Sequence, residues 1–458
     1  MGDSAKASSH DTVPSWAQKP VLGFSTWSTQ LLDEIPGYGG KHIKPWFNDQ
    51  VLREISLAMK TKLPHYEYIN MDSGWCETYD EYGRWTYRQD LFPHGLKPLS
   101  DYLASNGHKL GIYILPGIRK DAAEDPKVMI KGTTHRLGDL VKKQRDGNGF
   151  LGTTYMPDDD DDDDDNERLA QLYYDSMGEL FAEWGVSFVK IDGCGPGGGD
   201  ALRPNQSPDN RRCLARMKRA FEKHNIWMEL SWYLDPQHVD EWSRLGNGAR
   251  VFIDIESYSK RSMTSSVRVF QRISHTANWA SSEAVGRHRG FYLDLDVVTV
   301  GMTVDGKCID GLDNDDVRLS YISFWALTSS VFCLGADPRC IPDRYLEWLN
   351  NPDILAIHQS GIMAKPIESG NAWTNRRQVW WKKLPDGRVA VGLFNSSVFM
   401  FMSILGRNYD ITFTMKDVGL EKATIKDVWT GKSLGVHSKD YKTILRPGQC
   451  QILLLDPL

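Results

Sequence analysis

The 458-residue chain has no apolar run approaching the ~20 residues that would span a bilayer, which argues against a membrane partner. It also lacks a basic surplus: 54 Lys and Arg stand against 60 Asp and Glu, and the net charge of −6 offers nucleic acid no attractive field. No Gly-x-Gly-x-x-Gly or Walker-type loop follows the first strand-like segment, which counts against an open doubly wound sheet. There is no Cys-x-x-Cys pair. The seven cysteines (76, 194, 213, 308, 333, 340, 450) are odd in number and scattered, so neither a zinc knuckle nor a disulfide framework is expected, and free thiols are the default. Met1 to His10 lacks the apolar centre of a secretory leader, which favours an intracellular protein, or a secreted one if the N-terminus was trimmed. The triplets Asn205-Gln206-Ser207 and Asn395-Ser396-Ser397 would be glycosylation sequons in a secreted chain, but such triplets arise often by chance.

What is present is the composition of a soluble globular protein, 41% hydrophobic and 25% charged, at a length that asks for one large domain and a smaller one. Sixteen Trp and eighteen Tyr suit stacking on sugar faces, although packing in a barrel accounts for them equally well. Eight β-type segments recur at fairly even spacing: 21–27, 67–74, 110–116, 187–194, 226–232, 250–255, 292–300 and 330–336. The clearest helical pattern between them runs from Glu167 to Trp184, where Leu169, Leu172, Tyr173, Met177, Leu180, Phe181 and Trp184 form one apolar stripe that Gly185 ends. This alternation predicts an α/β fold, a (β/α)8 TIM barrel with its active site at the C-terminal strand ends; an open doubly wound sheet is the alternative. After Pro366 the pattern changes to short alternating segments with turn residues, which predicts a C-terminal antiparallel β-sandwich domain. The expected division is an N-terminal extension over 1–20, the barrel over 21–362 and the all-β domain over 363–458. The unbroken aspartate run Asp158 to Asp165 reads as a self-repelling, solvated loop rather than a cation site, since calcium ligands need spacing and a turn.

Two strand ends carry candidate chemistry. Phe188-Val189-Lys190-Ile191-Asp192-Gly193 ends an apolar strand in a carboxylate followed by small residues, and Arg250-Val251-Phe252-Ile253-Asp254 repeats the pattern. Taken singly, each Asp is explained as a helix cap. As a pair on neighbouring strands they are what glycosidic hydrolysis requires: about 5–5.5 Å apart, one attacks the anomeric carbon and the other protonates the leaving oxygen. Lys190 projects to the same side as Asp192 and can hold it ionised, bond a sugar hydroxyl or form an interior ion pair. If Asp254 is the acid, its pKa should be raised, with Asp192 contributing. Arg250, four residues earlier, shares its face on a regular strand; Asp294 and Asp296 share one at the seventh strand, with Asp296 expected near the site.

With these residues in place, the chain resembles the α-galactosidase (melibiase) family of retaining glycosidases, glycoside hydrolase family 27 in clan D. The likeness is carried by Gly23-Phe24-Ser25-Thr26-Trp27, Tyr68-Ile69-Asn70-Met71-Asp72-Ser73-Gly74-Trp75, Phe92-Pro93-His94-Gly95-Leu96, and Gly107 through Tyr113. Further along it continues in Lys190 to Cys194, Arg250 with Asp254, Trp325, Asp337-Pro338-Arg339 and Ile354 to Gln359. The resemblance implies Asp192 as nucleophile, Asp254 as acid/base, Trp27 as sugar platform with Trp75 either a second platform or core, and Asp72 with Ser73 at the sugar's far hydroxyls. Tyr113, Lys190, Trp232, Arg250 and Asp296 complete the implied binding set, with no cofactor and no metal, and a homodimer compatible. Ser73 departs from the family's paired aspartates and Met228-Glu229-Leu230-Ser231-Trp232 from its Cys-Glu-Trp, which bear on substrate; Gly74 replaces a family cysteine and Cys194 lacks its partner.

The implied function is removal of terminal α-linked galactose. A same-fold glycosidase for α-N-acetylgalactosamine, β-L-arabinopyranose or an isomaltose-type α-glucoside stays open, as does a silent carbohydrate-binding protein, although both carboxylates are present. A metal hydrolase or Schiff-base aldolase would need strand-end histidines or an apolar lysine, and neither is found.

Overall fold

A computed structural model describes residues 13–32, 47–141, 152–158, 164–197, 209–258, 262–304, 306–398 and 406–458. The Asn205 triplet and Asp159 to Asp163 lie outside these residues.

Eight parallel strands form the first layer: β1 (Leu22–Ser25), β2 (Tyr68–Asn70), β3 (Lys109–Ile114), β4 (Val186–Ile191), β5 (Trp227–Leu230), β6 (Gly248–Arg250), β7 (Tyr292–Asp294) and β8 (Phe332–Leu334). They pair in chain order, and β1 with β8; Val331 N–H donates to Leu293 O at 2.8 Å and Val298 N–H to Cys333 O at 2.7 Å, which closes the barrel. The interior is narrow. A Cβ on Gly111 would lie 2.0 Å from Asn70 Oδ1 and one on Gly248 1.9 Å from Glu229 Oε2, so glycine is required where β3 and β6 pass these side chains.

Helices α1 (Asp49–Lys62), α2 (Leu96–Ser105), α3 (Asp164–Glu183), α4 (Arg211–Glu222), α5 (Val239–Leu245), α6 (Ser266–Ala277) and α7 (Asp315–Leu327) cover the strands. The apolar stripe of α3 is buried as its spacing requires, and Gly185 follows its end at φ 76. Two members of the aspartate run, Asp164 and Asp165, begin α3 and so belong to a helix rather than to a loop; there they meet the positive end of the helix dipole.

Beyond the barrel, α8 (Asp343–Leu349) and α9 (Pro352–Gln359) lead to β9 (Lys365–Pro366), β10 (Arg377–Lys383), β11 (Val389–Asn395), β12 (Tyr409–Thr414), β13 (Ala423–Asp427), β14 (Ser433–His437), β15 (Asp440–Leu445) and β16 (Cys450–Pro457). An antiparallel sheet ordered β9-β10-β11-β16-β13-β14 faces the β12-β15 pair across a core that includes Val391, Leu393, Ile411, Phe413, Leu453 and Leu455. Its other face packs on α7, where Phe324 meets Trp380 and Phe394 edge-on at 5.1 and 5.6 Å. That helix is enclosed by barrel and sheet together, which is why it is buried nearly all round, Arg318, Ser320 and Ser323 included. Lys382 joins the layers, its buried Nζ donating to Ser329 Oγ and to the carbonyls of Ile357 and Ile362 at 2.8, 2.8 and 3.0 Å.

Candidate active site

Each barrel strand is shorter than the segment the sequence pattern suggests, and at two of them this decides where site residues stand. The sixth stops at Arg250 instead of running to residue 255, so Asp254 stands in the loop beyond it, and the seventh stops at Asp294 instead of residue 300. Arg250 and Asp254 do meet, but through a turn of that loop rather than along one strand face: Arg250 Nη2 donates to Asp254 Oδ1 at 2.7 Å. The chain leaves the barrel here because Phe252 stacks on His275, with ring centroids 3.5 Å apart, which draws the segment outward and leaves Ile253 exposed.

Asp192 follows β4 immediately. Its Oδ2 accepts the Tyr113 hydroxyl at 3.0 Å from β3. Lys190, one alternation back, pairs with Asp72 Oδ2 at 2.8 Å at the end of β2 instead of reaching Asp192 directly. Burial pushes the Asp192 carboxyl above its ordinary value; the charge of Lys190 works against this, while the charges of Asp254 and Asp72 add to it. Asp72 is further held by its own backbone N–H, which donates to Thr26 Oγ1 at 2.9 Å, and its Oδ1 accepts the N–H of half-buried Ser73 at 2.8 Å.

Asp254 is held by two donors, Arg250 and the Tyr258 hydroxyl, which donates to Oδ2. Trp27, half-buried after β1, donates from Nε1 to Tyr258 Oη at 3.4 Å. The expected rise in the Asp254 pKa is not what the structure contains. Burial does favour the neutral acid, but Arg250, Tyr258 and Lys190 together outweigh it and hold the carboxyl below its ordinary value.

Asp296 lies behind this pair. Oδ2 accepts Arg250 Nη2 and the Ile255 N–H at 2.7 Å, and Oδ1 accepts the Val297 N–H at 2.8 Å, so both oxygens are engaged in protein bonds. Its carbonyl accepts Trp325 Nε1 at 2.6 Å. Asp294 keeps its distance, 4.0 Å from Arg250 Nη1. Trp75 is fully buried, its Nε1 donating to Tyr113 O at 2.7 Å, and is core rather than platform. Trp232, half-buried after β5, has φ 111; with Tyr258 at 53 and Asp296 at 81 it makes three of the five described non-glycine residues with positive φ. Such backbone costs about 1–3 kcal/mol per residue and gathers where surrounding structure holds side chains in place for chemistry.

Sequence reasoning passed over Tyr258, Glu256 and Arg272. Glu256 Oε1 accepts Ser28 Oγ at 2.6 Å, and Arg272, fully buried, donates to Leu295 O at 3.1 Å and Ile253 O at 2.6 Å. The first two sit in irregular backbone where no periodicity marks them; an arginine inside the apolar stripe of α6 was the available sign of the third. Arg250, Arg272 and the carboxyls around them form a polar floor under the site that balances charge internally. All seven cysteines are free thiols. No helix among the described residues is long and apolar enough to cross a membrane.

The arrangement offers two differently held carboxyls at the mouth of a barrel, one against a tyrosine, the other between an arginine and a tyrosine. Comparison with known proteins bears on the fold and the family. Residues 374–455 match the α-galactosidase C-terminal β-sandwich domain, and residues 49–126 match the α-galactosidase A family. The α-galactosidase of Cyamopsis tetragonoloba is 26% identical over 450 residues, spanning 96% of this chain and 87% of its own; that of Oryza sativa is 24% identical over 451 residues, spanning 96% and 85%. In fold, the chain is similar to a family 27 β-L-arabinopyranosidase from Geobacillus stearothermophilus (TM-score 0.77, 22% identity, 96% of this chain and 97% of that one). It is also similar to α-galactosidase I from Mortierella vinacea (TM-score 0.65, 19% identity, 96% and 98%). Its barrel, its β-sandwich and these relatives along nearly its whole length support assignment of the chain to the α-galactosidase (melibiase) family, glycoside hydrolase family 27, and make it a glycoside hydrolase.

Proposed function

We propose that the chain is an exo-acting retaining glycosidase that removes terminal α-linked galactose by double displacement. Asp192 is the nucleophile and Asp254 the acid/base. The observation that carries this reading is the unlike environment of two carboxyls close enough for the charge of one to raise the pKa of the other. Asp192 is bonded through one oxygen by Tyr113, and the charge of Lys190 opposes the effect of burial and favours the anion that a nucleophile must be. Attack on the anomeric carbon removes that negative charge by ester formation as the bond to the leaving oxygen breaks and Asp254 protonates it. In the second step water attacks the ester's anomeric carbon, Asp254 takes the water's proton as base, a role its lowered pKa suits, and the Asp192 carboxylate is released. Lys190, Asp72 and Ser73 lie together for the sugar's hydroxyls, with Trp27 and Trp232 as its apolar walls.

Ser73 favours a second reading. Beside Asp72 it offers a neutral hydroxyl, and a charge-assisted bond contributes about 1.5–3 kcal/mol. A sugar without the 6-hydroxymethyl group, such as β-L-arabinopyranose, loses less by that exchange. Initial rates on nitrophenyl α-galactoside, α-N-acetylgalactosaminide, β-L-arabinopyranoside and α-glucoside separate the readings, with Asp192→Ala and Asp254→Ala alongside. The α-galactoside is expected to have the highest kcat/KM and to lose it in Asp192→Ala. Preference for another sugar moves the assignment to that specificity, and full activity of Asp192→Ala refutes the nucleophile.

A further inference from the structure

Glu256 is two residues beyond Asp254 and 1% exposed. One of its oxygens accepts Ser28 Oγ at 2.6 Å; the other, Oε2, is buried with no hydrogen-bond partner among the described residues. One carboxyl oxygen from each of Asp254, Glu256 and Asp296 lies within 4.8 Å of the others. Among the described residues, the guanidiniums at these carboxyl groups are Arg250, bonded to both aspartates, and Arg272, 3.7 Å from Asp296 Oδ2; Arg268 donates to the Asp254 carbonyl at 2.6 Å instead, and Lys190 acts on Asp254 through its charge alone. Of the two neighbouring phenols, Tyr258 donates to Asp254 and Tyr321 donates away, to Val297 O. Three carboxyls thus face two guanidiniums in a cluster whose Glu256 and Asp296 are buried while Asp254 reaches the solvent side, and one retained proton balances them. Its place follows from the donors. Asp254 accepts from Arg250 and Tyr258, and Asp296 from Arg250 and two backbone N–H groups, so protonating either would give up charge-assisted bonds. Glu256 has a single donor and an idle oxygen.

We propose that Glu256 stores the proton that Asp254 delivers to the leaving group, a positioning residue acting through Asp254; this rests on the assignment of Asp254 as acid/base. Burial first, then the charges of Asp296 and Asp254, push the Glu256 carboxyl up to about 8, so it holds a proton where Asp254 does not. As the sugar binds, the Glu256 O–H bond breaks and an Asp254 O–H bond forms, directly or across one water. Asp254 then passes the proton to the glycosidic oxygen as its bond to the anomeric carbon breaks and the electron pair stays on that oxygen. In the second half Asp254 takes a proton from the attacking water and returns it to Glu256, so the cycle closes without net gain or loss.

The test is the pH dependence of kcat/KM for full-length Glu256→Gln on two glycosides of the preferred sugar, one with a nitrophenol leaving group and one with an alkyl alcohol. A nitrophenolate departs with little protonation, whereas an alkoxide needs the proton in full. Glu256→Gln is expected to lose on the order of 100-fold on the alkyl glycoside and only a few-fold on the nitrophenyl one, since general acid catalysis supplies about 10²–10⁴. The basic limb of the alkyl profile moves to lower pH. Ser28→Ala removes a bond that favours the ionised carboxyl, so its limb moves to higher pH. Equal losses on both substrates, or a limb that stays in place, overturn the proposal. Should Glu256→Gln fold poorly, Ser28→Ala decides: an upward limb supports the proposal and an unmoved one refutes it. Asp254→Ala runs beside them. If it keeps the alkyl substrate, the acid/base assignment falls and the proton store with it; if it loses that substrate while Glu256→Gln does not, the proton store alone falls.

Discussion

Arg250→Met should be far more damaging at neutral than at acidic pH. The guanidinium is 3% exposed and its Nη2 joins Asp254, at 2.7 Å, to Asp296. Methionine has nearly the same reach and no charge, so the substitution takes the shared cation from the buried Asp296 and the partly exposed Asp254 and leaves the two carboxylates facing one another. Removing one partner of a buried pair costs about 3–5 kcal/mol, a large part of the 5–15 kcal/mol that holds a typical domain folded. The sign with pH follows from Asp254. Burial raises its pKa, Arg250 is the strongest influence opposing that, and the net position is below the ordinary value. A carboxyl lowered on folding contributes stability that is present above its unfolded pKa and lost as pH falls through the folded one. The variant lacks that contribution and takes up a proton at higher pH than the wild type, so its deficit is full near pH 7 and shrinks on acidification. Urea midpoints at pH 7 and pH 4, followed by fluorescence and circular dichroism together, measure this. A deficit below about 1 kcal/mol at pH 7, or an equal deficit at both pH values, would refute the claim that this guanidinium balances the acids.

Two further substitutions probe the opposite carboxyl and the barrel interior. Lys190→Met removes the strongest influence holding the Asp192 carboxyl down against burial, so the acidic limb of kcat/KM should move to higher pH, with partial return in Lys190→Arg; a fixed limb would show that Lys190 serves Asp72 alone. Gly248→Ala would place a Cβ 1.9 Å from Glu229 Oε2, and Glu229 is buried beside Trp227 Nε1 without room to swing aside, so a loss of about 1–3 kcal/mol is expected in thermal unfolding. An unchanged midpoint would mean that the floor of the barrel yields more easily than its packing implies.

The alternation of apolar segments and amphipathic stripes was enough to predict an α/β fold and to favour a barrel over an open sheet, because burial on both faces of a parallel strand and on one face of a helix leaves a local periodic mark. Leu169 to Trp184 is one such mark, and Val189-Lys190-Ile191-Asp192 is another, since a strand cannot carry a lysine and an aspartate at its end unless it opens onto a polar mouth. The late change to short alternating strands announced the second layer for the same reason. The loop after β6 left no such mark. Asp254, Glu256 and Tyr258 sit in irregular backbone, and what defines them is Ser28, 228 residues from Glu256, and Asp296, 46 from Arg250. Only closure of the chain puts those groups together. The charge states follow from the same closure: an aspartate's composition and spacing suggest an acid, but which carboxyl keeps a proton depends on the desolvation, donors and like charges that surround it, and these exist only once the barrel has formed.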